Sequence, residues 1–273
     1  KIKKGVIWLF KLLNISYKYK MKIKEFKIKS FNGYNISVRT YLPTENIKEI
    51  IIAVHGFGGD KDSSAIRLLA DKMVKENFIV ICFDFPSHGT SEVEADKLTI
   101  DNCINDIETI EQYIKDNFGK DIKINIFATS FGAYITLLKI IKNGTKYNKI
   151  VLRAPAIKMD EILKNTLLRE PFEDFKRNRF TKLGFRRIMN ISYDFYEELK
   201  SNKILEIYQN NQKMFIIQGT EDDVAPIKDT KELIELDKNN ITLYEIKGAD
   251  HRMKKNGELE EAINKAKEYF LKI

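Results

Sequence analysis

The alternation of apolar segments with helical segments constrains the fold of this chain more than any other feature. Short apolar runs suited to buried strands recur at 48–54, 78–84, 122–127, 148–153, 214–217 and 241–246. Helical patterns lie between and after them, at about 63–77, 101–118, 131–143, 227–237 and 257–271. Strands that alternate with helices predict an α/β fold with an open, mostly parallel sheet covered on both faces.

Residues 156–212 break this alternation. No strand is evident there, and the segment is rich in Lys, Arg, Phe and Tyr at helical spacing. We expect a small helical cap inserted over the strand ends, which divides the α/β core into residues 21–155 and 213–273. At the start of the core, Asn32-Gly33 stands between two extended segments and predicts a hairpin turn.

Residues 1–20 form a separate apolar and basic segment. The stretch from Gly5 to Leu13 is apolar except for Lys11, and lysines flank it. We expect a helix packed on the domain or on a partner chain, with contact to a membrane surface as the alternative. Lys11 and the lack of a small-x-small cleavage site argue against a signal peptide, and no apolar run is long enough to span a membrane.

The composition narrows the classes of partner and cofactor. The net charge is 47 − 39 = +8, which indicates a mildly basic surface. No zinc-finger, RRM-like or basic-zipper pattern occurs, so no nucleic-acid partner is expected. The histidines and cysteines lack metal-ligand spacing and no glycine-rich phosphate cradle is present, so no metal or cofactor is expected. Cys82 and Cys103 are expected to be buried thiols of a reducing, cytoplasmic compartment.

Ser130 lies where a short apolar strand breaks into a helix. Small residues stand two positions before it and two after it, at Ala128 and Gly132. This spacing is typical of a nucleophile elbow, in which a sharp turn presents the serine hydroxyl above the sheet. The usual first residue is glycine, so the methyl group of Ala128 is expected to crowd the elbow. The alternative is an ordinary helix N-cap serine.

Four more loops with chemically active residues follow predicted strands. They are His55-Gly56-Phe57-Gly58-Gly59, Asp84-Phe85-Pro86-Ser87-His88-Gly89-Thr90-Ser91, Gln218-Gly219-Thr220-Glu221-Asp222-Asp223-Val224-Ala225-Pro226 and Gly248-Ala249-Asp250-His251. Ligands in open α/β sheets bind outside the carboxyl ends of the strands. A serine, an acid and a histidine that follow strands in that order are typical of an acyl-transfer triad.

With these five loops in this order, the chain resembles α/β-hydrolases over roughly residues 30–270. Within them it is similar to monoacylglycerol-lipase-like and cinnamoyl (feruloyl) esterase-like serine hydrolases. The resemblance implies an α/β-hydrolase fold with a Ser-His-Asp triad. By motif, Ser130 corresponds to the nucleophile, His251 to the general base and Asp222 to the acid. The backbone N–H groups of Phe57 and Phe131 correspond to the oxyanion hole.

Some assignments within these loops stay open. Asp223 competes for the acid role, as does Glu221 more distantly. His55 and His88 are expected to orient their loops through hydrogen bonds and not to transfer protons.

The expected activity is that of a carboxylesterase that cleaves a small-molecule ester through an acyl-enzyme. A thioesterase or acyltransferase with an anionic substrate or acyl carrier is one alternative. It rests on the segment 153–187, which carries ten Lys or Arg and five Asp or Glu and ends with Arg186 and Arg187. A non-catalytic binding protein on the same fold is another alternative. The acyl group, the leaving group and the oligomeric state are not determined by the sequence.

Overall fold

The computed structural model describes residues 21–44, 46–184, 187–255 and 257–272. The predicted helix within residues 1–20 therefore lies outside the described residues, as does Arg186.

The strands of this part of the chain are β1 (Lys22–Lys29), β2 (Asn35–Leu42), β3 (Glu49–Val54), β4 (Phe78–Phe83), β5 (Ile124–Thr129), β6 (Ile150–Arg153), β7 (Phe180–Leu183), β8 (Met189–Ser192), β9 (Met214–Gly219) and β10 (Ile241–Ile246). The α-helices are α1 (Ser64–Val74), α2 (Ile100–Phe118), α3 (Phe131–Asn143), α4 (Met159–Ile162), α5 (Phe172–Asn178), α6 (Tyr193–Ser201), α7 (Ile204–Ile207), α8 (Ile227–Leu236) and α9 (Glu258–Leu271).

The central sheet has the order β1-β2-β4-β3-β5-β6-β9-β10. The strands from β4 to β10 in this order run parallel, and only β1 and β2 are antiparallel to their neighbours. Alternate residues of β3 pack into different cores, with Ile50 and Ile52 on one face and Ile51 and Ala53 on the other. Burial on both faces explains why such strands are continuously apolar. The predicted mostly parallel sheet is confirmed.

The predicted hairpin at the start of the core is also present. Strands β1 and β2 pair antiparallel, and the Ser30 N–H donates to the Tyr34 carbonyl oxygen across the turn. Gly33 lies in the turn with φ of 84°, a conformation that glycine adopts without strain.

The insertion contains α4 to α7 and a single π-helical turn over Leu163–Leu167. It also contains an antiparallel pair, β7 and β8, which corrects the expectation that no strand occurs in 156–212. In these strands Thr181, Leu183, Met189 and Ile191 are buried, whereas the residues between them are more exposed. The period of two extends over only four residues in each strand, which is too short to be distinguished from helical spacing by pattern alone.

The parallel strands end at one edge of the sheet, and this edge carries the loops singled out in the sequence. Ser130 follows β5 directly, while Asp222 and His251 follow β9 and β10 within five residues. No helix of the described residues is both long enough and apolar enough to cross a membrane.

Candidate active site

Ser130 occupies a strained turn between β5 and α3. Its φ of 51° and ψ of −117° are unfavourable for a residue with a Cβ atom. The turn is held by the Ser130 N–H, which donates to the Arg153 carbonyl oxygen at 3.0 Å. The Ser130 side chain makes no capping hydrogen bond to the helix. The hydroxyl is therefore available for other chemistry, and the helix N-cap alternative is not supported.

Small residues allow α3 to approach the sheet at this turn. A Cβ atom on Gly132 would lie 2.4 Å from the His55 carbonyl oxygen, a separation that backbone atoms do not tolerate. Ala128 is fully buried in β5, between Val54 of β3 and Leu152 of β6. Its methyl group thus packs in the core beneath the elbow.

His251 connects the serine to a carboxylate. Its Nε2 atom lies 3.0 Å from the Ser130 Oγ atom. On the other side of the ring, Nδ1 lies 2.9 Å from Oδ1 and 3.0 Å from Oδ2 of Asp222. The Asp222 side chain is fully buried and that of His251 is 12% exposed. A carboxylate on Nδ1 favours the tautomer that leaves Nε2 free to accept the serine proton.

The Asp222 carboxylate is held in place by three further donors. The N–H groups of Val224 and Ala225 donate to Oδ1 at 3.1 and 2.8 Å. The Gln218 side-chain amide donates to Oδ2 at 3.2 Å. Hydrogen bonds of this kind fix the orientation of the carboxylate.

The two competing acids of this loop do not reach the His251 ring. Asp223 is exposed, and its Oδ1 atom accepts from the His251 backbone N–H at 3.4 Å. Glu221 is exposed and lies 4.0 Å from Lys255. The geometry therefore brings together Ser130, His251 and Asp222.

Phe131 follows Ser130 directly, and Phe57 belongs to a loop that approaches the serine turn. Phe131 is the first residue of α3, so its N–H is among the helix donors that lack an intrahelical acceptor. The Phe57 ring contacts the Phe131 ring edge-on at 5.8 Å and stacks on Phe195 at 6.5 Å. A Cβ atom on Gly56 would lie 3.0 Å from the Ser130 Cβ, so glycine brings the Phe57 loop close to the serine.

His55 and His88 are buried and bonded to backbone groups. The Phe85 N–H donates to His55 Nε2 at 3.1 Å, and the Nδ1 atoms of His55 and His88 lie 2.8 and 2.9 Å from carbonyl oxygens. Burial lowers the pKa of both rings, that of His88 to about 3. Both are thus neutral at pH 7, in keeping with the expected structural role. The cysteines Cys82 and Cys103 are buried, free thiols.

A cavity of about 350 Å³ opens at the serine and the histidine. The apolar part of its wall is formed by Phe57, Met159, Ile162, Leu167, Val224 and Leu259. The cap thus contributes to this wall. A cavity of about 450 Å³ lies elsewhere, between α2 and α3, where Lys139, Glu111 and Tyr147 interact with one another.

Sequence reasoning assigned no role at the site to two residues that lie near it. Gln218 supports Asp222 from the end of β9, and Arg153 at the end of β6 lines the cavity. Each is a buried polar residue at the carboxyl end of an apolar strand. That position is the signal that could have indicated them.

The fold and this arrangement define a serine hydrolase of the α/β-hydrolase superfamily. Residues 45–186, just over half of the chain, match the model of the serine aminopeptidase S33 family (Hydrolase_4). The chain belongs to this family.

The individual proteins to which this chain is similar have low sequence identity to it. The uncharacterized protein R595 of Acanthamoeba polyphaga mimivirus is 23% identical over 193 residues, which cover 68% of this chain and 61% of that protein. Est1E from Butyrivibrio proteoclasticus, solved with ferulic acid bound, has a TM-score of 0.75 at 16% identity and covers 90% of this chain and 100% of its own. An esterase from Pyrococcus furiosus has a TM-score of 0.69 at 18% identity, with 92% and 91% covered. These structures share the fold with this chain.

Proposed function

We propose that this hydrolase is a carboxylesterase in which Ser130 is the nucleophile, His251 the general base and Asp222 the acid. The observation that supports it most is the continuous hydrogen-bonded series from Asp222 through His251 to the Ser130 hydroxyl, with separations of 2.9 and 3.0 Å. A serine hydroxyl is a weak nucleophile until a base accepts its proton, and this series supplies the base and its orienting carboxylate.

The proposed reaction has two halves. The Ser130 Oγ attacks the ester carbonyl carbon while its proton moves to His251 Nε2. The resulting imidazolium donates that proton to the departing alcohol, and the acyl group stays on Ser130. In the second half a water molecule gives a proton to His251 Nε2 and attacks the acyl carbon. The bond from this carbon to Ser130 Oγ then breaks, the imidazolium returns its proton to Oγ, and the carboxylic acid leaves.

We further propose that the N–H groups of Phe57 and Phe131 bind the oxyanion of each tetrahedral intermediate. The Phe131 N–H is available because it begins a helix, whose N-terminus also favours negative charge. The packing of Phe57 on Phe131 and Phe195 fixes its loop without a contribution from substrate. Loss of one such donor typically raises the barrier by about 3–4 kcal/mol.

The cavity favours esters over the free amino terminus of a peptide. A peptide amino terminus is a cation, and an aminopeptidase has to accommodate it. In the part of the chain that the structure describes, no Asp or Glu side chain lines the cavity, whereas Arg153 and Arg252 do. The esterase fold neighbours agree with this preference.

Charge pairing within the cap bears on the thioesterase or acyltransferase alternative. Arg177 pairs with Asp174, and Arg179 pairs with Asp194. Arg187 donates to the Ser91 carbonyl oxygen and is therefore already engaged. These contacts reduce the charge that the cap offers to an acidic carrier, so we favour the esterase over this alternative.

We also propose a reducing, cytoplasmic compartment for this protein, which agrees with the two cysteines being free thiols.

Hydrolysis of p-nitrophenyl butyrate, together with labelling by a fluorophosphonate probe, tests the proposal. We expect turnover and labelling by the native chain and neither by Ser130→Ala. Ser64→Ala is the matched control, because this exposed serine lines the same cavity. A folded native chain that is not labelled and cleaves no ester of a panel with varied acyl length would contradict the esterase and favour a binding protein.

A further inference from the structure

The buried cations of this protein differ in how their charge is balanced. Lys61 pairs with Asp84, and Lys139 lies 3.2 Å from Glu111. Arg153 is only 9% exposed, yet no carboxylate oxygen of the described residues lies within 4 Å of its guanidinium. A buried charge is costly unless it is paired, so an unpaired one calls for a functional explanation.

Most of the hydrogen-bonding capacity of Arg153 is unused. Its Nη1 donates to the His251 carbonyl oxygen at 3.0 Å, and its buried Nε has no hydrogen-bond partner among the described residues. Burial lowers the pKa of Arg153 to about 10, although the charges of Asp222 and Asp250 oppose this shift. The guanidinium therefore remains charged at pH 7. Asp222 is already bonded to His251 and does not supply a partner.

Arg153 lies beside the proposed nucleophile. It ends β6, where it pairs with Thr129 of β5, the residue before Ser130. Its side chain lines the cavity that Ser130 and His251 also line. The N-terminus of α1, at Ser64, lines the same cavity and adds a partial positive charge. Arg153 and the start of α1 thus add positive charge to a cavity whose wall also includes apolar residues of the cap.

We propose that Arg153 binds an anionic group, a carboxylate or a phosphate, carried by the ester substrate, and that the enzyme prefers esters bearing one. This inference rests on the proposed esterase function and names the substrate class. A planar guanidinium forms two parallel hydrogen bonds to either group. A neutral ester leaves the buried charge unpaired, and sites built to hydrogen-bond a missing group discriminate strongly against such substrates.

Matched pairs of esters distinguish the two sources of the charge. A carboxylate at the end of the acyl chain is tested with mono-p-nitrophenyl adipate against p-nitrophenyl hexanoate, which have six acyl carbons each. A phosphate on the alcohol side is tested with glycerol 3-phosphate monobutyrate against glycerol monobutyrate. We expect the native enzyme to favour the anionic member of one pair, which identifies the side.

The substitution Arg153→Met retains most of the side-chain volume and removes the charge. We expect the ratio of kcat/KM for the anionic ester to that for the neutral ester to fall about 10- to 100-fold, mainly through KM. Arg153→Lys should recover part of this ratio. Arg67→Met is the control, since Arg67 lies on the exposed face of α1 and should leave the ratio unchanged.

The ratio of kcat/KM for the anionic ester to that for the neutral ester distinguishes substrate binding by Arg153 from a purely structural role of this residue. If Arg153 only positions the His251 loop through the carbonyl oxygen, Arg153→Met lowers kcat/KM for both esters equally and the ratio does not move. That result would overturn the inference while the esterase proposal stands.

A binding measurement does not depend on turnover. Calorimetric titration of Ser130→Ala with monoethyl adipate and with glycerol 3-phosphate monobutyrate should show binding of at least one of these esters, which Arg153→Met abolishes in the same background. Equal affinity for both esters with and without Arg153 would refute the anion site, whereas Arg153-dependent binding combined with no ester hydrolysis by the native chain would mean that the esterase proposal alone has failed.

Discussion

Asp106 provides a quantitative test of the packing beneath the sheet. This residue of α2 is fully buried, and its Oδ1 accepts hydrogen bonds from the Ser30 hydroxyl at 3.0 Å and the Tyr34 hydroxyl at 2.8 Å. Its Oδ2 atom has no hydrogen-bond partner in the part of the chain that the structure describes. Burial raises the pKa of Asp106 from 3.8 to about 7, while the two hydroxyl donors lower it.

The sign of the resulting pH dependence follows from proton binding. Between pH 4 and pH 7 the folded state holds a proton on Asp106 that the unfolded chain has lost, so stability falls as pH rises through this window. A shift of about 3 pKa units corresponds to a total loss of about 4 kcal/mol in the free energy of unfolding. Of this, about 2.5 kcal/mol is lost between pH 5 and pH 8.

The substitution Asp106→Asn removes the titration while it keeps an oxygen for Ser30 and Tyr34. Urea unfolding followed by circular dichroism at pH 5 and pH 8 gives the stability of both proteins. We expect the native chain to lose about 2.5 kcal/mol more than Asp106→Asn between these pH values. Asp116→Asn, an exposed acid on the same helix, is the matched control. An identical pH dependence of the native chain and Asp106→Asn would refute the reasoning.

Three other predictions address the site and its support. Asp222→Asn should lower kcat for ester hydrolysis by about 10⁴-fold because the His251 ring loses its orienting carboxylate, whereas Asp223→Asn should change it little; steady-state kinetics that reverse this order would reassign the acid. Gly132→Ala should lower the free energy of unfolding by about 1–3 kcal/mol, because the new Cβ meets a backbone oxygen at 2.4 Å, and an unchanged urea midpoint would contradict that close approach. Lys139→Met should lower the free energy of unfolding by about 3–5 kcal/mol, because it leaves Glu111 buried without its cation. An unchanged melting temperature in thermal unfolding would contradict this expectation.

The proposed esterase combines a centre on the loops of the central sheet with a cavity wall to which the insertion contributes. The serine turn, the Phe57 loop and the loops after β9 and β10 lie on the central sheet. Met159, Ile162 and Leu167 of the cap contribute apolar surface to the cavity. Changes in the cap should therefore alter acyl preference with less effect on the reacting groups, whereas Arg153 belongs to the sheet and its proposed preference for charge should persist.

The sequence predicted the sheet, and it indicated which candidate site residues follow its strands, because the signals for both are local. Periodicity over six or more residues distinguished strands from helices, and the element bounds agree with the structure to within a few residues. Parallel strands present their carboxyl ends at one edge, so loop order alone placed Ser130 and His251 near each other. The β7–β8 pair was missed because each strand has only four residues.

Only the tertiary structure shows the direction in which a side chain points and the distant residues that it contacts. Asp222 and Asp223 are neighbours in the chain, and only the turn after β9 determines which carboxylate faces the His251 ring. Arg153 stands 98 positions from the residue whose carbonyl it contacts. That no carboxylate of the described residues pairs with it is visible only once the core is assembled. Sequence spacing fixes which residues reach the edge of the sheet, because backbone geometry is local. Burial and charge pairing depend on every element packed around a side chain. Which residues at that edge are buried, paired or in contact with one another can therefore be seen only in the folded chain.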